Sequence, residues 1–78
     1  MSAIQMYEKA FVETFGIEVG QLPGLQYQGV SSWDSVGHMS LIASLEDAFG
    51  IELDTDDIID FSSFEAGKSI LKKYQVEV

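Results

Sequence analysis

The sequence predicts an all-α protein: a four-helix bundle with three longer helices, one short third helix and a long loop between helices one and two. Three observations point there. Apolar residues recur at helical spacing in three stretches, one starting at Ile4, one at Leu41 and one at Phe64. Glycines stand where the first two of these stretches stop, Gly16 after Phe15 and Gly50 after Phe49. The chain has 78 residues, 46% of them hydrophobic, enough for one small core and too few for two, so residues 1–78 are expected to form a single domain.

Helix one is expected from about Ala3 to Phe15, with Ile4, Tyr7, Phe11 and Phe15 on one face and Gln5, Lys9 and Glu13 away from it. Gly16 supplies a left-handed stop, and Ile17 folds back on the last turn. The segment Phe15-Gly16-Ile17-Glu18-Val19 returns as Phe49-Gly50-Ile51-Glu52-Leu53. A shared helix-ending device accounts for both copies without an internal repeat. Residues 17 to 33 make a longer connection than the roughly 2–8 residues usual between bundled helices. Gly20, Pro23, Gly24 and Gly29 break any regular element there. Yet Ile17, Val19, Leu22, Leu25, Tyr27, Val30 and Trp33 are too apolar for a free linker, so the loop is expected to pack over the helices with a short helical turn near Leu22. Its end delivers Asp34 and Ser35 to the start of helix two, one of them as the cap.

Beyond Gly50, Asp54-Thr55-Asp56-Asp57 opens a short third helix through about Asp60, its acidic first turn favoured by the helix dipole. Ile58, Ile59 and Phe61 are expected to face inward. Ser62 and Glu65 have the spacing of a capping box for helix four. That helix has the buried stripe Phe64, Gly67, Ile70, Leu71 and Tyr74, with Lys68, Lys72 and Lys73 outside. Gly67 costs the helix about 1 kcal/mol relative to alanine, which points to close packing on a neighbour. Residues 75–78 are expected to fray.

Four lysines and no arginine stand against 13 acidic residues, for a net charge of −9, and no basic residue occurs from Ala10 to Gly67. Such a surface repels nucleic acid and anionic membranes and attracts proteins with basic patches. The absence of cysteine leaves no disulfide framework, no thiolate nucleophile and no zinc-finger spacing. No apolar run approaches transmembrane length and no basic-then-apolar signal opens the chain, so a cytoplasmic monomer is expected.

Helix two, running from the stretch Trp33-Asp34-Ser35-Val36 to Phe49, carries the functional signal. Leu41, Ile42, Leu45, Phe49 and His38 share a side that suits a core, while Val36, Met39 and Ala43 fall opposite, beside Ser40, Glu46 and Asp47. An apolar seam bordered by acid is what a docking surface needs. At the helix start, unpaired N–H groups and the positive end of the dipole favour an attached anion such as a phosphate. Ser35 stands there, where a plain N-cap is the commonest role for serine.

The order Asp34-Ser35-Val36 after a long loop, then Leu41-Ile42, Leu45-Glu46-Asp47, Phe49-Gly50-Ile51 and an acidic turn, resembles the acyl carrier proteins over nearly the whole chain. The resemblance implies that Ser35 takes a 4'-phosphopantetheine arm from coenzyme A by way of a separate, magnesium-dependent phosphopantetheinyl transferase. It implies that Asp34 helps that transferase recognise the site. It also implies that Val36, Met39, Ala43, Glu46 and Asp47 face partner enzymes: acyl-activating, acyltransferase or ketosynthase-type enzymes with basic patches. Acyl intermediates of a fatty acid, polyketide or other specialised pathway would ride as thioesters, with no catalysis by the carrier itself. Gly37 and Ser40 stand where fatty-acid carriers are often acidic, Val36 replaces the commoner leucine, and Trp33 and His38 are further departures. Together these favour a specialised pathway. An aminoacyl or small-acid carrier is one alternative. Another is an unmodified helical adaptor binding through Val36, Met39 and Ala43.

Two sharper patterns are weaker. Asp34, Ser35 and His38 are the residue types of a hydrolase triad, but three residues within one helical turn diverge, whereas a triad converges from separate elements. His38 is expected to be a partly buried side chain near the loop. Asp54, Asp56, Asp60, Ser62 and Glu65 have the spacing of a calcium loop, but Ile58 and Ile59 occupy a ligand position and the obligatory glycine.

Overall fold

The computed structural model describes residues 2–78. Among them are four α-helices: α1 (Ala3–Phe15), α2 (Ser35–Phe49), α3 (Thr55–Asp60) and α4 (Phe64–Lys72), with one 3₁₀ turn at Val19–Gln21 in the loop after α1. The architecture is the all-α bundle that the periodicity predicts, with three longer helices and a short third. No helix of the described residues is long and apolar enough to cross a membrane.

The helix ends follow from local chemistry. Ser2 and Gln5 form a reciprocal capping box at the start of α1. Gly16 and Gly50 both take left-handed conformations, at φ 64° and 65°, and the next residue's N–H returns to the last turn: Ile17 to Val12 O and Ile51 to Glu46 O. This is the hydrogen-bond return of the Schellman motif. Residues 75–78 do not fray. Gln75 takes the same left-handed turn at φ 65°, Val76 N–H bonds Leu71 O at 3.1 Å, and Val76 and Val78 pack against the core.

Two other expectations are corrected. Ser62 and Glu65 form no capping box. Ser63 is the N-cap of α4 and accepts from Ala66 N–H at 2.9 Å. Ser62 O instead accepts from Tyr27 N–H, and Phe64 N–H bonds Leu25 O, so the long loop clips onto the α3–α4 connection. Ile59 does not face inward: it is 71% exposed, while Phe61 is buried and Ile58 half-buried. Neighbouring helical residues point about 100° apart, so Ile58 and Ile59 do not share a side, and Phe61 lies just past the helix as its C-cap.

The core is aromatic. Tyr7, Phe11, Trp33 and Phe61 are at most 1% exposed, joined by Phe15 and Phe64. Trp33, though a loop residue, lies at its centre, with ring centroids 5.1 Å from Phe15 and 5.5 Å from Phe11. Leu22 and Leu25 are buried as well, which anchors the loop as expected; Val19 and Tyr27 stay exposed. On α4, Phe64, Gly67, Ile70 and Leu71 are buried, and a Cβ at Gly67 would run into the Tyr7 hydroxyl and the Phe61 ring. The Tyr7 hydroxyl bonds Phe64 O at 2.6 Å, tying α1 to α4.

Candidate functional site

The loop fixes the start of α2 through one seam. Ser32 Oγ donates to Phe15 O at 2.9 Å, capping the end of α1, and the Ser32 carbonyl lies directly over Gly37, where a Cβ would collide with it. Glycine at 37 therefore lets loop and helix touch. Its residue type alone reads only as a departure from an acidic position.

Asp34 is the N-cap: its Oδ1 accepts from Gly37 N–H at 2.8 Å, and its carbonyl accepts from His38 N–H. The cap role that Ser35 would otherwise fill is thus taken. Ser35 is the first helical residue, exposed, and its hydroxyl makes no hydrogen bond to any described residue. Its oxygen is held at the positive mouth of a 15-residue helix by a rigid backbone.

The two faces of α2 separate as its periodicity predicts. Leu41, Ile42 and Leu45 are buried, His38 and Phe49 half-buried, and Val36 (75% exposed), Met39 (53%), Ala43 and Asp47 face solvent. Glu46 has a second role: it is half-buried, and its Oε2 accepts from Leu53 N–H at 2.9 Å, pinning the chain beyond Gly50.

His38 is a bridge. The Trp33 indole N–H, which can only donate, reaches His38 Nδ1 at 3.0 Å, so Nε2 carries the ring proton and donates to Ile58 O at 2.8 Å. The planes of the two rings are nearly parallel, 13° apart, with centroids 6.2 Å from each other. Both imidazole nitrogens are thereby turned to Trp33 and Ile58. The Asp34 carboxylate is turned to Gly37, so the contacts of a Ser–His–Asp relay are not formed.

Ser35 also opens onto a groove of about 330 Å³ between α2, α3 and the long loop. Tyr27, Met39 and Ile59 are its exposed lining, His38, Ile58 and Phe61 its more buried floor, and Ser62 lines it as well. Sequence reading names neither Tyr27 nor the α3 residues as site members, because they approach Ser35 only in three dimensions. The Trp33–His38 pairing left one trace in the sequence, a histidine on the core side of an otherwise apolar helix face.

The opposite side of α3 is latched to the end of the chain. Asp57, 8% exposed, accepts from Lys73 Nζ and the Tyr74 hydroxyl, and the Tyr74 hydroxyl in turn accepts from Asp54 N–H. These hydrogen bonds, from Lys73 first and Tyr74 second, hold the Asp57 carboxyl below its ordinary range against the opposing effect of burial. The same contact with Asp57 raises both Lys73 and Tyr74.

The chain matches no protein-family model, no curated protein and no solved structure.

Proposed function

We propose that this chain is a carrier protein that bears acyl cargo on a 4'-phosphopantetheine arm joined to Ser35 Oγ. One observation carries the reading: Asp34 takes the cap, which leaves the Ser35 hydroxyl exposed and unengaged at the mouth of α2. The residues fit the group. Ser35 Oγ would hold the phosphodiester at the start of α2, where the Asp34 carboxylate accepts from Gly37 N–H. When bound, the arm supplies a thiol that holds the cargo as a thioester. Ser35 has no base arranged beside it, which suits a hydroxyl modified by a separate transferase rather than one acting as a catalyst.

Val36, Met39 and Ala43 give partner enzymes an apolar strip next to the attachment point, and the exposed Asp47 with the half-buried Glu46 favours partners with basic patches. Incubation with coenzyme A, magnesium and a promiscuous phosphopantetheinyl transferase, followed by mass spectrometry, tests the reading. The wild type should gain the arm and Ser35→Ala should not. An unchanged wild-type mass turns the balance to a second reading, an unmodified adaptor. The exposed strip of Val36 and Met39 supports that reading too.

A further inference from the structure

We propose that His38 is a positioning residue for arm attachment: while uncharged it ties Trp33 to the first turn of α2 and so fixes the Ser35 hydroxyl, and protonation undoes the tie. This rests on the carrier reading and adds to it a control by acid.

Ser35 is exposed and its hydroxyl is unengaged, so the hydroxyl is only as well placed as the backbone beneath it. That backbone lies inside a closed segment. Trp33, wholly buried in the aromatic core, stands two residues before Ser35, and His38 three residues after it. The bond from the Trp33 indole N–H to His38 Nδ1, at 3.0 Å, joins the two ends. The same imidazole reaches a third element, because its Nε2–H donates to Ile58 O at 2.8 Å. Ile58 O is among the last four carbonyls of α3, which have no partner one turn on, and the Phe61 N–H reaches it only at 3.4 Å. One side chain thus connects the loop, α2 and α3 around the hydroxyl.

The tie tolerates a single protonation state. An indole nitrogen can only donate, so Nδ1 must accept, and an imidazolium has no acceptor to offer. Adding the proton sets two N–H groups against each other at 3.0 Å. It also puts a positive charge in the first turn of α2, where the helix dipole opposes it. No carboxylate packs on the ring to offset this. The groups facing it are Tyr27 and Trp33 from the loop, Ile58 from α3 and Phe61 just beyond, of which Tyr27 alone is titratable. No charged side chain lines the groove onto which the ring opens. The Asp34 carboxylate, before α2, is turned to Gly37, and that of Asp57, on α3, to Lys73 and Tyr74. The contact with Ile58 O survives protonation, so acid frees the loop from α2 and leaves α3 in place.

The chain has one tryptophan and one histidine, so the NMR signals of the Trp33 indole N–H and the His38 ring need no assignment. Imidazoles as a class change charge between about pH 5 and 8. Over that window the indole proton should shift in step with the His38 ring. Arm attachment by the promiscuous transferase should slow about tenfold through the same interval. The rate is read as a ratio to that of His38→Gln, which cancels the transferase's own pH dependence. Glutamine can accept from Trp33 without titrating, so His38→Gln should keep most of the neutral-pH rate and lose the acid step. His38→Ala should lose about tenfold at neutral pH, in kcat rather than KM. A Tm at each pH separates lost position from unfolding, and should one variant not fold, the other serves as the reference that does not titrate.

A rate ratio that stays flat across the indole transition, or an indole signal that ignores the His38 ring, overturns the proposal. If the wild type takes no arm at any pH, the carrier reading has failed, and the role of His38 in attachment falls with it. If the arm is accepted at a rate indifferent to His38, only the positioning role falls.

Discussion

At the scale of single residues, two glycines and one histidine decide how the site is held. Alanine normally improves on glycine inside a helix by about 1 kcal/mol. A Cβ at Gly67 meets the Tyr7 hydroxyl and Phe61, and one at Gly37 meets the Ser32 carbonyl. Overpacking of this kind costs about 1–3 kcal/mol. Both Gly67→Ala and Gly37→Ala should therefore lower stability in urea unfolding, and Gly37→Ala should also slow arm attachment by shifting the first turn of α2. A stabilised Gly67→Ala would show that α4 has room against α1. Gly67 was legible in the sequence because a glycine inside a strong apolar stripe is a local anomaly. Gly37 was not, since its constraint comes from a loop carbonyl that no periodicity reveals. His38 was legible as half-buried, but its two partners lie on a loop and on another helix.

At the scale of elements, α3 is the wall of the groove and is held from both sides, by His38 through Ile58 O and by the Asp57–Lys73–Tyr74 latch. A lowered carboxyl stabilises the fold above the ordinary carboxylate range, near pH 4, and that contribution is lost as pH falls through the lowered value. The raised Lys73 and Tyr74 act in the opposite sense: their contribution is present below their ordinary values, near pH 10, and is lost as pH rises past them. The Tm difference between wild type and Asp57→Asn should thus be steady from about pH 5 to 9 and shrink at either extreme. A gap that stays constant down to about pH 2 would remove the latch from the account. The three longer helices were legible, with the ends of α1 and α2 set by their glycine stops; the cap of α4 is Ser63, one residue after the serine expected. The face of α3 was misread because Ile58 and Ile59 are neighbours about 100° apart on the helix, and only one of them can face the core. The tail after α4 was misread as frayed because Gln75 adopts a left-handed turn that its residue type does not advertise.

At the scale of the whole molecule, charge and size act together. The principal extents are 29 × 27 × 19 Å, so at about 0.01 M salt, where the screening length is roughly 30 Å, nearly every acidic residue feels every other. At about 0.15 M the length falls to roughly 8 Å and the repulsion is confined to neighbours. Tm should therefore climb by several degrees between those concentrations, and a melt that ignores salt would show that the net charge of −9 puts no strain on the fold. The fold class could be read from the sequence because helical periodicity is local. The groove could not, because Tyr27, Met39 and Ile59 come from three separate segments. One further property follows from the bridge at its floor. Trp33 is the sole tryptophan, wholly buried, and its indole N–H rests on the imidazole that the groove exposes. The protein thus has an intrinsic fluorophore hydrogen-bonded to a residue that lines the groove, so that any change at the groove that disturbs His38 can be followed in emission without attaching a dye.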